Sequence, residues 1–252
     1  MPKAGSQRAD KIRLDELLVR HGCAESRARA QALVLAGLVY AGERRLEKPG
    51  GKIAADTPVQ VRGPDHPWVS RGGVKLAHGL DHFRISAEGL VALDIGASTG
   101  GFTDVLLARG ARRVYAVDAG HGQLDWRLRN DARVIVLEKT NARRLDTRTI
   151  PEPPQLIVCD ASFIGLEVVL PAALALAAPD AKLIALIKPQ FEVGRARVGK
   201  KGVVRDPALH RKVCGRIEAW LTAQGWRVLG LAESPITGPE GNKEFLIAGA
   251  RN

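Results

Sequence analysis

The sequence predicts an α/β protein in which a mostly parallel sheet, covered on both faces by helices, follows a smaller α+β module. Three observations carry that expectation. From residue 90 onward, apolar runs of strand length at 90–95, 114–117, 134–137, 156–158 and 183–187 alternate with helical stretches, the rhythm of βαβ units. The 252 residues are 45% apolar and 26% charged, enough apolar material for a sizeable core. Positive charge gathers at the front: residues 1–75 hold 14 Lys and Arg against 8 Asp and Glu, about half of the formal +11 of the whole chain.

The front module opens with Ile12, Leu14, Leu17 and Leu18 at helical spacing and stops at Gly22. Ser26 is a natural N-cap for a second helix ending near Gly37. Short strands joined by tight turns are expected at 38–40, around Gly42 and the Pro49-Gly50-Gly51 turn, and at 57–61. The module spans 1–62, a linker of Gly, Pro and polar residues covers 63–70, and the larger domain occupies 71–252. At the far end, the runs 227–232 and 245–248 are separated by a Pro/Gly-rich turn and are expected to pair antiparallel at the sheet edge.

Several classes are disfavoured. No 18-residue apolar run exists, and the opening MPKAGSQRADK lacks the apolar stretch of a secretory signal, so a cytoplasmic protein with no membrane partner is expected. Cys23, Cys159 and Cys214 form no CxxC pair, which suits a reducing compartment and no zinc site. His66, His78, His82, His121 and His210 make no HxH pattern and stand beside no CxxC pair, so no metal is expected. The excess of positive charge suggests a polyanionic partner, most simply nucleic acid.

The segment Leu93-Asp94-Ile95-Gly96-Ala97-Ser98-Thr99-Gly100-Gly101-Phe102 follows the first run of the larger domain and precedes a helix. Small residues there let a ligand approach backbone and helix N-terminus at the carboxyl end of a strand. The Gly-x-x-x-Gly-Gly spacing is neither the dinucleotide fingerprint nor a Walker loop, which disfavours phosphate cradling. Asp118 ends the next run, where a carboxylate can accept hydrogen bonds from ribose hydroxyls, as NAD and S-adenosylmethionine would equally require. Asp160 and Lys188 end the fourth and fifth runs and Glu244 begins the last, so an acid, a base and a second acid share one edge of the sheet. Each alone would pass as a structural ion pair; their common position favours chemistry. Cys159 would be a nucleophile only if turned toward the site, and an alternating strand turns it away from Asp160.

With these residues in view, the chain resembles the TlyA (haemolysin A) family of ribosomal RNA ribose methyltransferases over nearly its whole length. Arg13-Leu14-Asp15, Ser26-Arg27, Gly37-Leu38-Val39 and Lys48-Pro49 resemble an S4-type RNA-binding domain. The stretch Trp68-Val69-Ser70-Arg71-Gly72-Gly73-Val74-Lys75-Leu76 resembles the linker and opening helix of that family, and the remainder an FtsJ-like methyltransferase. Ser98-Thr99 departs from the Ala-Pro more usual in the wider FtsJ group. The resemblance implies a Rossmann-like S-adenosylmethionine methyltransferase sheet behind a small α+β S4-type domain. It implies transfer of a methyl group from S-adenosyl-L-methionine to a ribose 2'-OH, of a cytidine, in ribosomal RNA or ribosomal subunits.

The catalytic tetrad of the family falls on Lys75, Asp160, Lys188 and Glu244; the resemblance alone nominates Lys75. Cofactor contacts are expected from Asp94, Gly96, Ser98, Thr99, Gly100, Gly101, Asp118, Asn141 and Asp160. RNA contacts are expected from Arg13, Arg27, Arg44 and Lys48, and from Arg197 and Lys200 in a second basic loop at 195–205. Lys188 would act as general base or steady the developing alkoxide, with desolvation and Lys75 lowering its pKa and Asp160 and Glu244 opposing them. Three rivals stand beside this reading: a membrane-active haemolysin, an RNA-binding protein with an inert methyltransferase domain, and a dehydrogenase.

Overall fold

The computed structural model describes residues 10–63, 66–194, 197–199 and 202–251. The chain divides into two compact units, Met1–Ser70 and Arg71–Asn252.

In the first unit, β1 (Lys11–Arg13) leads straight into α1 (Leu14–Arg20), and α2 (Arg27–Leu35) follows. Ile12 therefore belongs to a strand rather than to the first helix: it pairs with Ile53 of β4 (Lys52–Ala54). Its apolar side chain fits either element, and a partner 41 positions away decides between them. Gly22, at φ +71°, follows the end of α1, and the Ser26 hydroxyl accepts the Arg29 N–H at 3.2 Å, as an N-cap should. A three-stranded sheet of β2 (Val39–Ala41), β3 (Arg44–Arg45) and β5 (Gln60–Val61) completes the unit around Leu14, Leu17, Leu18, Leu33, Val34 and Val39. The final strand begins at Gln60, so residues 57–59 of the expected alternation are irregular.

The second unit opens with α3 (Gly72–Phe83). It continues through β6 (Val91–Ile95), α4 (Gly101–Ala108), β7 (Arg113–Val117), the short α5 (Trp126–Arg129) and β8 (Val134–Leu137). Then come β9 (Leu156–Cys159), α6 (Leu166–Val169), α7 (Pro171–Leu176), β10 (Lys182–Ile187) and α8 (Pro189–Glu192). The long α9 (Pro207–Ala223), β11 (Trp226–Glu233) and β12 (Phe245–Arg251) close it.

These strands form one seven-stranded sheet in the order β11-β12-β10-β9-β6-β7-β8. All neighbours are parallel except β12, which runs antiparallel to both β10 and β11. The last two runs pair antiparallel at that edge as expected, with β11 outermost and β12 between it and β10. The central strands β6, β9 and β10 are buried almost throughout, as Val, Ile and Leu runs must be when helices cover both faces. From β6 the chain winds outward through β7 and β8, then crosses to β9 on the other side. The carboxyl ends of β6 and β9 therefore form the switch point at which open α/β sheets bind ligands.

Candidate active site

Four charged residues from distant stretches of chain meet at this edge of the sheet. Asp160 and Lys188 directly follow β9 and β10. The antiparallel ladder pairs Ile187 with Phe245, so the next rung brings Lys188 beside Glu244. Lys75 arrives by helix docking: a Cβ at Gly79 would lie 3.2 Å from Ile184 Cγ2 and 3.6 Å from Leu246, so glycine there seats α3 against β10 and β12. Lys75 is one turn earlier on the same helix face, as Glu244 is two residues before Leu246.

Their contacts form a chain. Lys75 Nζ lies 2.6 Å from Glu244 Oε2 and 3.8 Å from Asp160 Oδ2. Lys188 Nζ lies 2.6 Å from Asp160 Oδ1, and donates to the Asp160 carbonyl at 3.1 Å and to Ser162 Oγ at 2.9 Å. Lys75, Lys188 and Glu244 retain only 7%, 6% and 1% of their accessible surface. Burial alone would drive the Lys188 ammonium toward its neutral form, but Asp160 and Glu244 outweigh it and hold the pKa above the ordinary lysine value. The balance that the sequence leaves open is thus settled toward the charged form, because the carboxylates are in direct contact. Ser162, which the sequence reading passed over, is part of the same network; its place two residues after a strand-end Asp was the available signal.

The glycine turn lies alongside. Gly96 and Gly100 hold φ +82° and +97°. A Cβ at Gly96 would come within 3.0 Å of the Ala161 backbone, and one at Gly100 within 2.3 Å of Leu128, so glycine is needed at both. Asp118 ties the turn to the end of β7: its carboxylate accepts the Ser98 N–H at 2.8 Å and the Gly120 N–H at 2.7 Å. The cleft between them is lined by Ala97, Asp118, Gln123, Leu124, Val136 and Glu138 among others, and Ser98 Oγ bonds Gln123 at 3.0 Å across its mouth. Thr99 and Gly101 lead from the turn into α4, and Asp94 is fully buried beneath it. Asn141 is exposed and caps a single 3-10 turn by accepting the Arg143 N–H at 3.1 Å, one residue after Thr140, whose N–H donates to the Asp118 carbonyl at 2.9 Å.

Cys159 is buried in the core, where desolvation pushes its thiol up to about 12, so it holds no nucleophile. Among the described residues no cluster of His, Cys, Asp and Glu is arranged to hold a metal ion. No helix among them is long and apolar enough to cross a membrane. One feature of the site went unread in the sequence. Phe163, just after Ser162, is 90% exposed with φ +66°, and its ring stands 5.0 Å from that of Phe191 beyond Lys188. With aromatics only 4% of the chain, an exposed Phe163 set against the half-buried Phe191 beside the charged cluster is not packing material.

In the first unit, buried Asp15 gathers the expected RNA contacts. Arg13 grips it with two hydrogen bonds at 2.9 and 3.0 Å, Arg27 reaches it at 3.4 Å and Gln31 at 2.8 Å. The Arg13 guanidinium holds the Asp15 carboxyl far below the usual range. Arg44 and Lys48 are exposed on the same unit. Arg197 is exposed in the second basic loop, and Lys200 lies outside the described residues.

A methyltransferase-type sheet with a charged cluster at its switch point, preceded by a basic α+β module, defines the class. The chain belongs to the FtsJ-like methyltransferase family, which it matches over residues 68–251, and residues 12–56 match the S4 domain. It is 45% identical over 240 residues to the 16S/23S rRNA (cytidine-2'-O)-methyltransferase TlyA of Mycobacterium tuberculosis, covering 95% of this chain and 90% of that one. It is 48% identical over 238 residues to YqxC of Bacillus subtilis, described as a candidate rRNA methyltransferase, covering 94% and 85% of the two chains. A solved structure from Streptococcus thermophilus, described as a candidate hemolysin, superposes with TM-score 0.76 at 42% identity, covering 97% of this chain and 90% of that one.

Proposed function

We propose that this protein transfers a methyl group from S-adenosyl-L-methionine to the 2'-OH of a cytidine in ribosomal RNA, working in the cytoplasm on ribosomal subunits. The observation that carries the reading is the Lys75–Glu244 and Lys188–Asp160 chain of contacts beside the glycine turn.

The cleft suits S-adenosylmethionine by its chemistry. Asp118 offers carboxylate oxygens to a ribose diol, and Ala97, Leu124 and Val136 give apolar walls for a base. When bound, the cofactor supplies an activated methyl group on a cationic sulfur. The chain's own residues then have to position a hydroxyl and manage one proton. Lys188, kept as an ammonium by its carboxylate neighbours, donates to the 2'-oxygen and steadies the charge that develops there. One carboxylate of the network, Asp160 or Glu244, would take up the single hydroxyl proton. Phe163 and Phe191 offer a face on which the base of an extruded nucleotide stacks, worth about 1–3 kcal/mol.

RNA affinity comes from the basic front unit. Asp15 holds Arg13 and Arg27 at a fixed spacing, with Arg44 and Lys48 nearby in sequence, a set suited to phosphates. Arg197 and Lys200 would add contacts around the target nucleotide.

Lys188→Ala tests the assignment. It is expected to abolish methyl transfer to ribosomal subunits while cofactor binding, followed by calorimetry, stays near normal. Near-normal methylation by that variant would refute the proposed chemistry.

A further inference from the structure

Glu192, the last residue of α8, is a carboxylate that the reaction above leaves without a task, although its side chain is only 3% exposed. It reaches across to the neighbouring strand-end turn. Oε1 accepts the N–H of Leu166, the first residue of α6, at 2.8 Å. That N–H is one of the orphan donors that every helix start leaves, and Gly165 at the N-cap has no side chain to take it. A Cβ at Gly165 would lie 3.1 Å from Glu192 Oε2, so the glycine also leaves room for the carboxylate. The second oxygen, Oε2, is held from α9. Arg216 donates to it at 2.7 Å and to the Glu192 carbonyl at 3.1 Å, while its other terminal nitrogen pairs with Glu167 of α6. One carboxylate thus joins α6, α8 and α9.

The turn from Ser162 to Leu166 is therefore tied twice to the segment 188–192: the Ser162 hydroxyl accepts from Lys188, and the Leu166 N–H donates to Glu192. The two exposed rings sit just inside those ties. Phe163 follows Ser162, Phe191 precedes Glu192, and their ring centroids are 5.0 Å apart. Phe163 is 90% exposed at φ +66°, a conformation that a bulky residue keeps only where its surroundings impose it. With the ring in solvent, packing does little of that work; the ties at 162 and 166 do the rest. We propose that Glu192 is a positioning residue on the RNA side of the site, fixing the spacing of Phe163 and Phe191 and hence the face that receives the target base. The inference rests on the methyltransferase reading above, in which those rings stack on an extruded nucleotide.

The test is steady-state methylation of ribosomal subunits by the full chain, with S-adenosylmethionine binding followed by calorimetry and folding by thermal melts. Glu192→Ala should lower kcat/KM for subunits about tenfold, while S-adenosylmethionine affinity stays within about twofold because its cleft is lined by other elements. A residue that acts through a ring has nothing left to do once the ring is gone. Glu192→Ala in a Phe163→Ala background should therefore cost no more than about twofold beyond Phe163→Ala alone, whereas a merely structural role would give the same loss in both backgrounds. If Glu192→Ala melts below the assay temperature, Glu192→Gln carries the same cycle. It keeps an acceptor for the Leu166 N–H and loses the charge that pairs with Arg216, so a loss of a few fold that disappears without the ring is expected. Losses that multiply in the double variant, an unchanged kcat/KM in the single ones, or a parallel fall in S-adenosylmethionine affinity would each overturn the proposal. No transfer by the unaltered protein would sink the methyltransferase reading and this inference with it, an outcome distinct from transfer that is indifferent to Glu192.

Discussion

Lys75→Met probes the cluster through stability rather than turnover. The substitution keeps most of the side-chain volume and removes the ammonium that stands 2.6 Å from Glu244 Oε2, in a pair whose side chains are 9% and 1% exposed. Removing one partner of a buried pair typically costs about 3–5 kcal/mol, because the other charge is left without its counterion. Lys188 remains to compensate part of the charge, which places the expected loss near the lower end, about 3 kcal/mol. For a unit of this size that corresponds to a fall in melting temperature of about 6–12 °C. The loss should be larger at pH 8 than at pH 5. In the variant the folded state gains by binding a proton on the stranded carboxylate, so it holds more protons than the unfolded chain and its stability falls as pH rises. Calorimetric melts of Lys75→Met, Glu244→Gln and the double variant measure this directly, and the double variant should recover much of the loss. A cost below about 1 kcal/mol, or one independent of pH, would refute the claim that these two residues form a buried, mutually dependent pair.

Other outcomes follow from the same geometry. Phe163→Ala should lower kcat/KM for ribosomal RNA roughly tenfold to a hundredfold, the equivalent of one lost base-stacking face, with Phe163→Trp retaining most activity; equal rates for all three would remove the ring from the site. Cys159→Ala should keep methyl transfer within a few fold, since its thiol, raised to about 12, is un-ionised at neutral pH; a loss of a hundredfold or more, with the fold intact by circular dichroism, would restore it as a participant. Asp15 has a depressed pKa, so its contribution to the front unit is complete above the unfolded carboxylate value, about 3.9, and is lost as pH falls below it. Acid melts should therefore show the unaltered protein losing stability below about pH 4 more steeply than Asp15→Asn, and RNA binding by that variant should weaken as Arg13 and Arg27 lose their tether. Parallel acid profiles for the two proteins would count against the tether.

The parts of the fold that depend on local pattern were readable from the chain. The strands β6, β7, β8, β9 and β10 announce themselves as Val, Ile and Leu runs between helical stretches, and the Ser26 cap and the Gly22 stop are written in single residues. What depends on a distant partner was not. Ile12 reads as helical until Ile53 is placed beside it, and nothing local says that β12 will insert between β10 and β11. The site divides the same way. Asp160, Lys188 and Glu244 stand at strand ends and can be picked out by position, whereas Lys75 lies on a helix whose docking is set by Gly79 against Ile184. The sign of the Lys188 shift was equally out of reach, because it turns on a 2.6 Å contact with Asp160. Phe163 is visible only once its exposure and its neighbour Phe191 are known.

The most direct measurement of the account is to incubate purified ribosomal subunits with the protein and methyl-labelled S-adenosylmethionine, then map the label on the RNA. The account predicts label on the ribose 2'-oxygen of cytidine, and none when Lys188→Ala replaces the unaltered chain. Label on a base, or the same ribose label with Lys188→Ala, would contradict it.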